Sequence, residues 1–476
     1  MKRLAFGWRL GILLGIALVL GGPSGARAAG LQLLEQSPRL TGTAYSGTAA
    51  WAADASMAFF NPAGLTRLEG GSMVVGGYII EVGDELYADQ ATTWGQNISG
   101  AGGSMTVDGG SVNAFPIFHF AQRISEDWVG YIGVTVPFGN NTDYADDSVA
   151  RYMGTLSKLQ TININPAIAW EPIEGFSIAA GFNAMYARAR LNQVAAVPTF
   201  PIVPALDVNA LFFGDDWAFG WNIGALYEPS PNLRFGVAYR SAVHSTLTGS
   251  AEIYPPSIVA SNPLYELLNL PNPESGTSRF GLSSPDSVTV SGFWTPVEWL
   301  DVMADFQWTQ WSIQQELELS FETKSFKVPL VEKVLPQAGN IPSIALGIDL
   351  PVAFRNAYRG TIGVQMRPAE DWSIRIGTGY DGSPTQAANR TVRLPDANRW
   401  ILSFGFGWEF LENVFFDFGY AHFFGGTVPL NETLSLPQMN DAWSQLSGEV
   451  EVSGNVFGAQ LTYNWKNLPW EDLPAL

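Results

Sequence analysis

Beyond about residue 72 the chain alternates bulky apolar side chains with small or polar ones. Trp400, Leu402, Phe404, Phe406, Trp408 and Phe410 hold even positions, and Ile401, Ser403, Gly405, Gly407 and Glu409 the odd ones between them. Trp372 to Tyr380 and Leu300 to Trp308 repeat the pattern. A period of two puts successive side chains on opposite faces, which a strand does and a helix does not. The alternation predicts fourteen strands, near 72–82, 113–124, 128–138, 158–171, 176–192, 217–229, 233–254, 285–296, 300–321, 357–368, 372–380, 399–410, 414–424 and 447–465.

The connections sharpen this reading. Short turns such as Ser125-Glu126-Asp127, Ser230-Pro231-Asn232 and Leu411-Glu412-Asn413 alternate with long segments such as 83–112, 193–216, 255–284, 322–356 and 425–446. Aromatic residues gather at both ends of many strands. An even-stranded membrane barrel has this rhythm, with tight turns on one side, long loops on the other and an aromatic girdle at each interface. Lipid offers no hydrogen bonds to an open edge, so the sheet must close. The expected fold is all-β, a 14-stranded antiparallel transmembrane β-barrel over residues 72–465 in the outer membrane, with both termini periplasmic. Its final strand carries Phe457, Leu461, Tyr463 and Trp465 on one face, a terminal signal suited to the outer-membrane assembly machinery. Residues 466–476 form a tail beyond it.

Composition agrees. Only 14% of the 476 residues are charged and 13% are aromatic, whereas an ordinary soluble domain has about a quarter charged. A mean hydropathy near zero is too low for a bundle of membrane helices. The net charge of −19 argues against nucleic acid. Zero cysteines exclude disulfides and thiolate chemistry. Lys2, Arg3 and Arg9 precede the apolar run Leu10 to Leu20, and Ala26-Arg27-Ala28 supplies a cleavage site. Residues 1–28 thus read as a secretory signal peptide, too short in its apolar part to span a bilayer. Its loss removes four of the 25 basic residues and no acid, leaving 21 against 44 and a net charge of −23.

Residues 29–71 break the alternation. Ser37-Pro38, Gly42 and Gly47 suggest turns, and Trp51 to Phe60 a short helix capped by Asp54 or Ser56 and stopped by Pro62. A fourteen-stranded lumen is too wide for its own side chains to fill. This segment is therefore expected inside, as a small amino-terminal hatch plugging the barrel.

These residues carry a likeness. Ala44-Tyr45-Ser46-Gly47, Ala53-Asp54-Ala55-Ser56, Phe59-Phe60-Asn61-Pro62-Ala63-Gly64-Leu65, Arg151-Tyr152, Thr161-Ile162-Asn163-Ile164-Asn165-Pro166, Phe235 to Ser241, Tyr380-Asp381-Gly382-Ser383-Pro384 and Leu394-Pro395-Asp396-Ala397-Asn398-Arg399 occur in this order. In them the chain resembles the FadL/TodX family of outer-membrane transporters for long-chain fatty acids and other hydrophobic compounds. The resemblance runs from about Ala29 to Trp465. It implies capture of ligand among the outer loops, a lumen pocket, and lateral release through a kink in the third strand. Gly130, Gly133 and Pro137 on that strand are the expected site of the kink, and Asn61-Pro62-Ala63 is the family's hatch motif beside it.

Candidate binding residues follow from the strand period. Arg240, Arg359, Arg375 and His244 fall on the lumen-facing phase. A buried guanidinium can hold a carboxylate by two hydrogen bonds, or simply pair with an acid such as Asp301, Asp305 or Glu409. Tyr144 to Leu159, with Tyr152 and Met153, and Ile253 to Leu270 read as short amphipathic helices that bind ligand or pack together on the rim. His119, His244 and His422 lie on different strands without metal-ligand spacing, so no metal is expected. Gly377 to Gly382 fits G-x-G-x-x-G but ends a strand instead of opening a helix, and no cofactor follows from it. The expected partners are a fatty acid or hydrophobic small molecule, the lipid bilayer and lipopolysaccharide, with the protein a monomer and not an enzyme. A general porin for small polar solutes, or a surface receptor or adhesin, is the alternative.

Overall fold

The computed structural model describes residues 30–98, 104–196, 207–254, 274–322, 348–435 and 442–466. The expected signal peptide, nearly all of the tail and the segment 255–270 lie outside the described residues. The fourteen expected strands span Gly71–Thr93, Ser111–Arg123, Trp128–Thr135 continued by Gly139–Asp143, Leu156–Ile173, Phe176–Ala195, Val208–Ser230, Leu233–Arg240 continued by Val243–Tyr254, Glu274–Ser284 continued by Ser287–Val297, Leu300–Thr309 continued by Glu316–Glu322, Ile348–Pro351 continued by Ala357–Ala369, Trp372–Asp381, Arg399–Leu411, Val414–Ser435 and Ala442–Trp465. Neighbours pair antiparallel. The first strand pairs with the last from Gly71↔Trp465 to Thr93↔Ser444, and the barrel closes.

Several strands run further outward than the apolar alternation indicated. In the first, the ladder continues past Glu81 with Glu85 facing out and Leu86 facing in. Backbone pairing outlasts the lipid-facing pattern there because water, and no longer hydrocarbon, lies outside. At the opposite end the turns are tight. Gly175 and Asn413 hold the positive φ, +78° and +63°, that two-residue hairpins require.

The two faces of the wall differ as expected. Leu402 and Phe404 are 53% and 46% exposed, whereas Ile401 and Ser403 between them are 1% and 3%. Trp128 stacks on Trp170 with ring centres 5.3 Å apart, and Trp372 on Trp408 at 5.4 Å, at the short-turn end. Tyr380 and Trp400 meet edge-on at 5.3 Å toward the long loops.

Residues 30–70 touch strands all round the barrel, so they lie within it. The Arg39 guanidinium donates to Asp417 at 2.8 Å. Gly47 N and Thr48 N donate to Asp305 at 2.7 and 3.1 Å. Asn61 Nδ2 donates to Ala225 O at 3.0 Å. Asp54 caps the 3-10 helix Ala55–Phe59 by accepting from Ser56 N at 2.9 Å. Pro62 does end that helix, and it opens a second, Pro62–Arg67, with Asn61 as its cap. The close fit depends on wall glycines. A Cβ on Gly236 would strike the Ala49 carbonyl oxygen, and one on Gly377 the Thr43 carbonyl.

Glu35 sits wholly inside this segment. Its Oε1 accepts from the Tyr45 hydroxyl at 2.9 Å, and its Oε2 has no hydrogen-bond partner. Burial pushes the carboxyl up from 4.5 to about 7, outweighing the lowering effects of Tyr45 and Arg399. The folded protein keeps this proton to about pH 7, while the unfolded chain loses it near pH 4.5. Stability therefore falls as pH rises between those values. Glu35→Gln is expected to abolish that slope and to add up to about 3 kcal/mol above pH 7. Urea unfolding in detergent at mildly acidic and mildly alkaline pH checks this; a slope equal to the native one would show the carboxyl to be charged throughout.

Three expectations are corrected here. The third strand breaks at Val136-Pro137-Phe138, after Thr135, and not at its glycines. Gly130 and Gly133 stay in the ladder opposite Gln122 and His119. Gly133 instead leaves room for Tyr131, whose hydroxyl lies 2.8 Å from His119 Nδ1. The segment 144–159 forms one 3-10 turn, Val149–Tyr152, and then enters a strand at Leu156. His244 points outward. The seventh strand is interrupted at Ser241 and Ala242, so the inward positions change from even (Gly236, Ala238) to odd (Val243, Ser245, Leu247).

Candidate functional site

Breaking the third strand leaves a gap in the wall. The second strand pairs with it only from Phe118 to Arg123, opposite Val129 to Val134. Ser111 to Ile117 have no ladder on that side among the described residues. Proline explains the break, since it has no N–H to give to a neighbour. Residues 31–36 take up the freed groups. Leu33 N donates to Pro137 O at 2.8 Å, Gly139 N to Leu31 O at 2.9 Å, and Gln36 Nε2 to Val136 O at 2.7 Å. Beyond the gap side chains bridge the two strands, with Ser111 Oγ donating to Asn141 O at 2.8 Å and Asn141 Nδ2 to Asn113 Oδ1 at 2.9 Å.

A buried apolar cluster packs beside this gap. Trp311 meets Phe138 edge-on at 6.4 Å and Phe354 at 5.7 Å, with Leu31 buried beside them. At the far side a small cavity is walled by Leu34, Trp311, Gln32, Gln307, Asp381 and Arg359.

The arginines named from sequence all face the lumen, in different states. Arg375 forms an ion pair with Asp417 at 2.7 Å and donates to Gln365 at 2.8 Å and Ser373 at 2.9 Å. Arg240 donates to Asn183 Oδ1 and to Phe59 O, and its plane lies 4.1 Å from the Phe59 ring centre. Arg359 is 4% exposed, and its Nε and Nη2 have no hydrogen-bond partner. The acid across from it, Asp381, is taken by Arg399 at 2.6 Å. Tyr152 and Met153 are fully buried beneath the outer loops; the Tyr152 hydroxyl donates to Asp207 at 2.7 Å and accepts from Arg151 at 2.9 Å. Among the described residues no group of acidic and histidine side chains is placed to hold a metal ion.

Above the lumen, residues 382–398 cross the mouth as a strap. The Arg393 guanidinium donates to Leu156 O, Ser157 Oγ, Asn192 O and Gln193 Oε1 on the opposite rim. Its carbonyl accepts from Asn140 and Thr142, both at 3.1 Å, on the outer half of the third strand. Asp396 accepts from Gly30 N at 2.9 Å and Ser383 Oγ at 2.5 Å. None of these anchors stood out in the sequence, although Leu394 to Arg399 lay within a recognised motif.

The family model for outer membrane transport proteins (OMPP1/FadL/TodX) matches residues 20–465. The chain belongs to this family. The long-chain fatty acid transport protein of Salmonella typhi is 29% identical over 428 residues, covering 86% of this chain and 90% of its own. Outer membrane protein P1 of Haemophilus influenzae is 27% identical over 493 residues, covering 95% and 98%. Among solved structures, a Pseudomonas aeruginosa FadL homologue superposes with a TM-score of 0.76 at 20% identity, covering 92% of this chain and all of that one. The P. putida toluene transporter TodX gives 0.66 at 14% identity, with 92% of this chain covered. As a FadL/TodX member the protein is an outer-membrane barrel.

Proposed function

We propose that the protein carries hydrophobic compounds across the outer membrane without catalysis. Ligand enters beneath the strap, rests along Trp311 and Phe138, and leaves sideways between the second and third strands. The observation that carries this reading is the break in the strand ladder at Pro137, beside the buried apolar cluster of Trp311, Phe138 and Leu31 and the small cavity that Trp311 shares with Arg359. A greasy molecule gains free energy by passing from that cluster into hydrocarbon, and gains none from a watery pore. The long-chain fatty acid and toluene carriers among its relatives favour the same cargo class. Asn61, Pro62 and Ala63 act in this scheme as the joint that seats the hatch.

Arg359 is the head-group partner we favour. Its unpartnered Nε and Nη2 lie on one edge of the guanidinium, the edge that grips a carboxylate with two hydrogen bonds. Arg240 and Arg375 have their donors engaged, and His244 faces away. Arg359→Met is expected to erase a preference for a free long-chain acid over its methyl ester, lowering acid affinity about tenfold. Quenching of intrinsic tryptophan fluorescence measures it; an undiminished preference would move the head group elsewhere. The same reading has residues 1–28 removed on export, both termini periplasmic, the assembly machinery engaging the last strand, lipopolysaccharide around the outer rim, and a monomer as the working unit.

A further inference from the structure

Beside the gap, on the side away from Trp311, lies a cluster of neutral amides that neither the fold nor the head-group scheme uses. Asn163 and Asn165 on the fourth strand, Asn183 on the fifth and Asn222 on the sixth face the lumen, each 2% exposed or less. Asn163 stands opposite Thr135, the last residue before the break, and Asn165 opposite Gly133. The group therefore borders the gap on its lumen side.

The orientations of these amides are settled by groups that cannot exchange roles. Arg240 only donates, so the Asn183 atom facing it is the carbonyl oxygen Oδ1. Asn163 then turns its Nδ2 to that same oxygen, at 3.1 Å. Phe182 O only accepts, so the Asn165 atom 2.8 Å away is Nδ2, which also reaches Asn222 Oδ1 at 3.0 Å. Asn183 Nδ2 donates to Asn222 Oδ1 as well, at 3.1 Å. What remains is Asn163 Oδ1, Asn165 Oδ1, Asn222 Nδ2 and the Thr135 hydroxyl, all buried and without a hydrogen-bond partner. Hydrocarbon passing here would leave every one of them unsatisfied.

We propose that this cluster binds the neutral hydroxyl group of an otherwise apolar compound. The inference rests on the carrier reading above and narrows its cargo. Two of the free atoms are pure acceptors and need a donated proton, which a carboxylate lacks. Asn222 Nδ2 is a donor and needs an acceptor. A hydroxyl meets both demands. Arg240, the one cation bonded to this cluster among the described residues, has Nη1 on Asn183 and Nη2 on Phe59 O, so its donors are taken. The structure thus separates a charged station at Arg359 from a neutral one at the threshold of the gap.

Full-length protein in detergent, titrated with dodecane and with dodecanol, gives the ratio of the two affinities. Thr135→Val and Asn163→Leu are each expected to lower the alcohol-to-alkane ratio about tenfold, because a site that hydrogen-bonds a hydroxyl discriminates strongly against its absence. Thr135→Val keeps the side-chain shape and breaks no hydrogen bond of the folded protein, so it remains informative if Asn163→Leu misfolds. Ratios equal to the native one in Thr135→Val would overturn the inference and leave ordered water as the cluster's only guest. Binding of neither compound by the native protein would overturn the carrier reading and this inference together.

Discussion

Replacing Gly236 and Gly377 together by valine is expected to convert a plugged barrel into an open pore. At both positions the added carbon meets main chain of the hatch segment, at Ala49 and Thr43. Overpacking against mobile side chains costs about 1–3 kcal/mol per site. A peptide carbonyl held on both sides has less room to yield. Anchors beside them include the hydrogen bonds from Gly47 and Thr48 to Asp305 and that from Asn61 to Ala225. Each contributes about 1 kcal/mol net, less than one such intrusion at the upper end of its range. The barrel wall itself is untouched, because its own ladder pairs through backbone groups that the side chains do not reach. In a planar bilayer the double variant should show a steady, ohmic current at least tenfold above native, on the order of a water-filled barrel of this strand number. A native-like current would mean that the segment is not lodged against those glycines.

A cysteine pair across the gap gives the second large effect. Asn113 and Asn141 touch through their side chains at 2.9 Å on either side of the opening. The chain has no cysteine of its own, so Asn113→Cys with Asn141→Cys introduces a single thiol pair. Oxidation should fasten the second strand to the outer half of the third, since side chains at these two positions reach each other across the opening. If cargo leaves sideways, uptake by whole cells falls at least about tenfold on oxidation and returns with reductant, since the bond forms and breaks without refolding the barrel. Undiminished uptake in the oxidised form would place the exit elsewhere. The two experiments address different parts of the molecule, the first its plug and the second its wall.

The strand pattern was legible because a membrane wall writes its two environments into alternate residues. Leu402 and Ser403 differ for no other reason than the face they occupy. The helix cap was visible too, narrowed to Asp54 or Ser56, being a local matter of one side chain and the next turn. Phase across a break was not. His244 lies four residues from Arg240 and shares its parity, yet two residues out of the ladder, Ser241 and Ala242, put it on the opposite face. No local rule says whether a strand resumes in the same phase. The arginines show a further limit. Arg240, Arg359 and Arg375 look alike in sequence, and what separates them is whether a partner arrives from a distant strand or from the hatch. The amides were open to notice, as four neutral asparagines in the inward phase of adjacent strands, but their unpaired atoms depend on Arg240 and Phe182 fixing the rest.

The strap has a kinetic consequence. Arg393 holds the opposite rim with its guanidinium and the outer half of the third strand with its carbonyl, while Asp396 holds the start of the hatch segment. On the proposed path, entrance and exit are thus tied through one short stretch of chain. Displacing it at the mouth costs hydrogen bonds at the side opening, and by reciprocity an occupied opening bears on how readily the mouth parts. Such a barrel handles its cargo one molecule at a time. If each passage displaces the strap, flux is expected to saturate with outside supply, as an enzyme saturates with substrate.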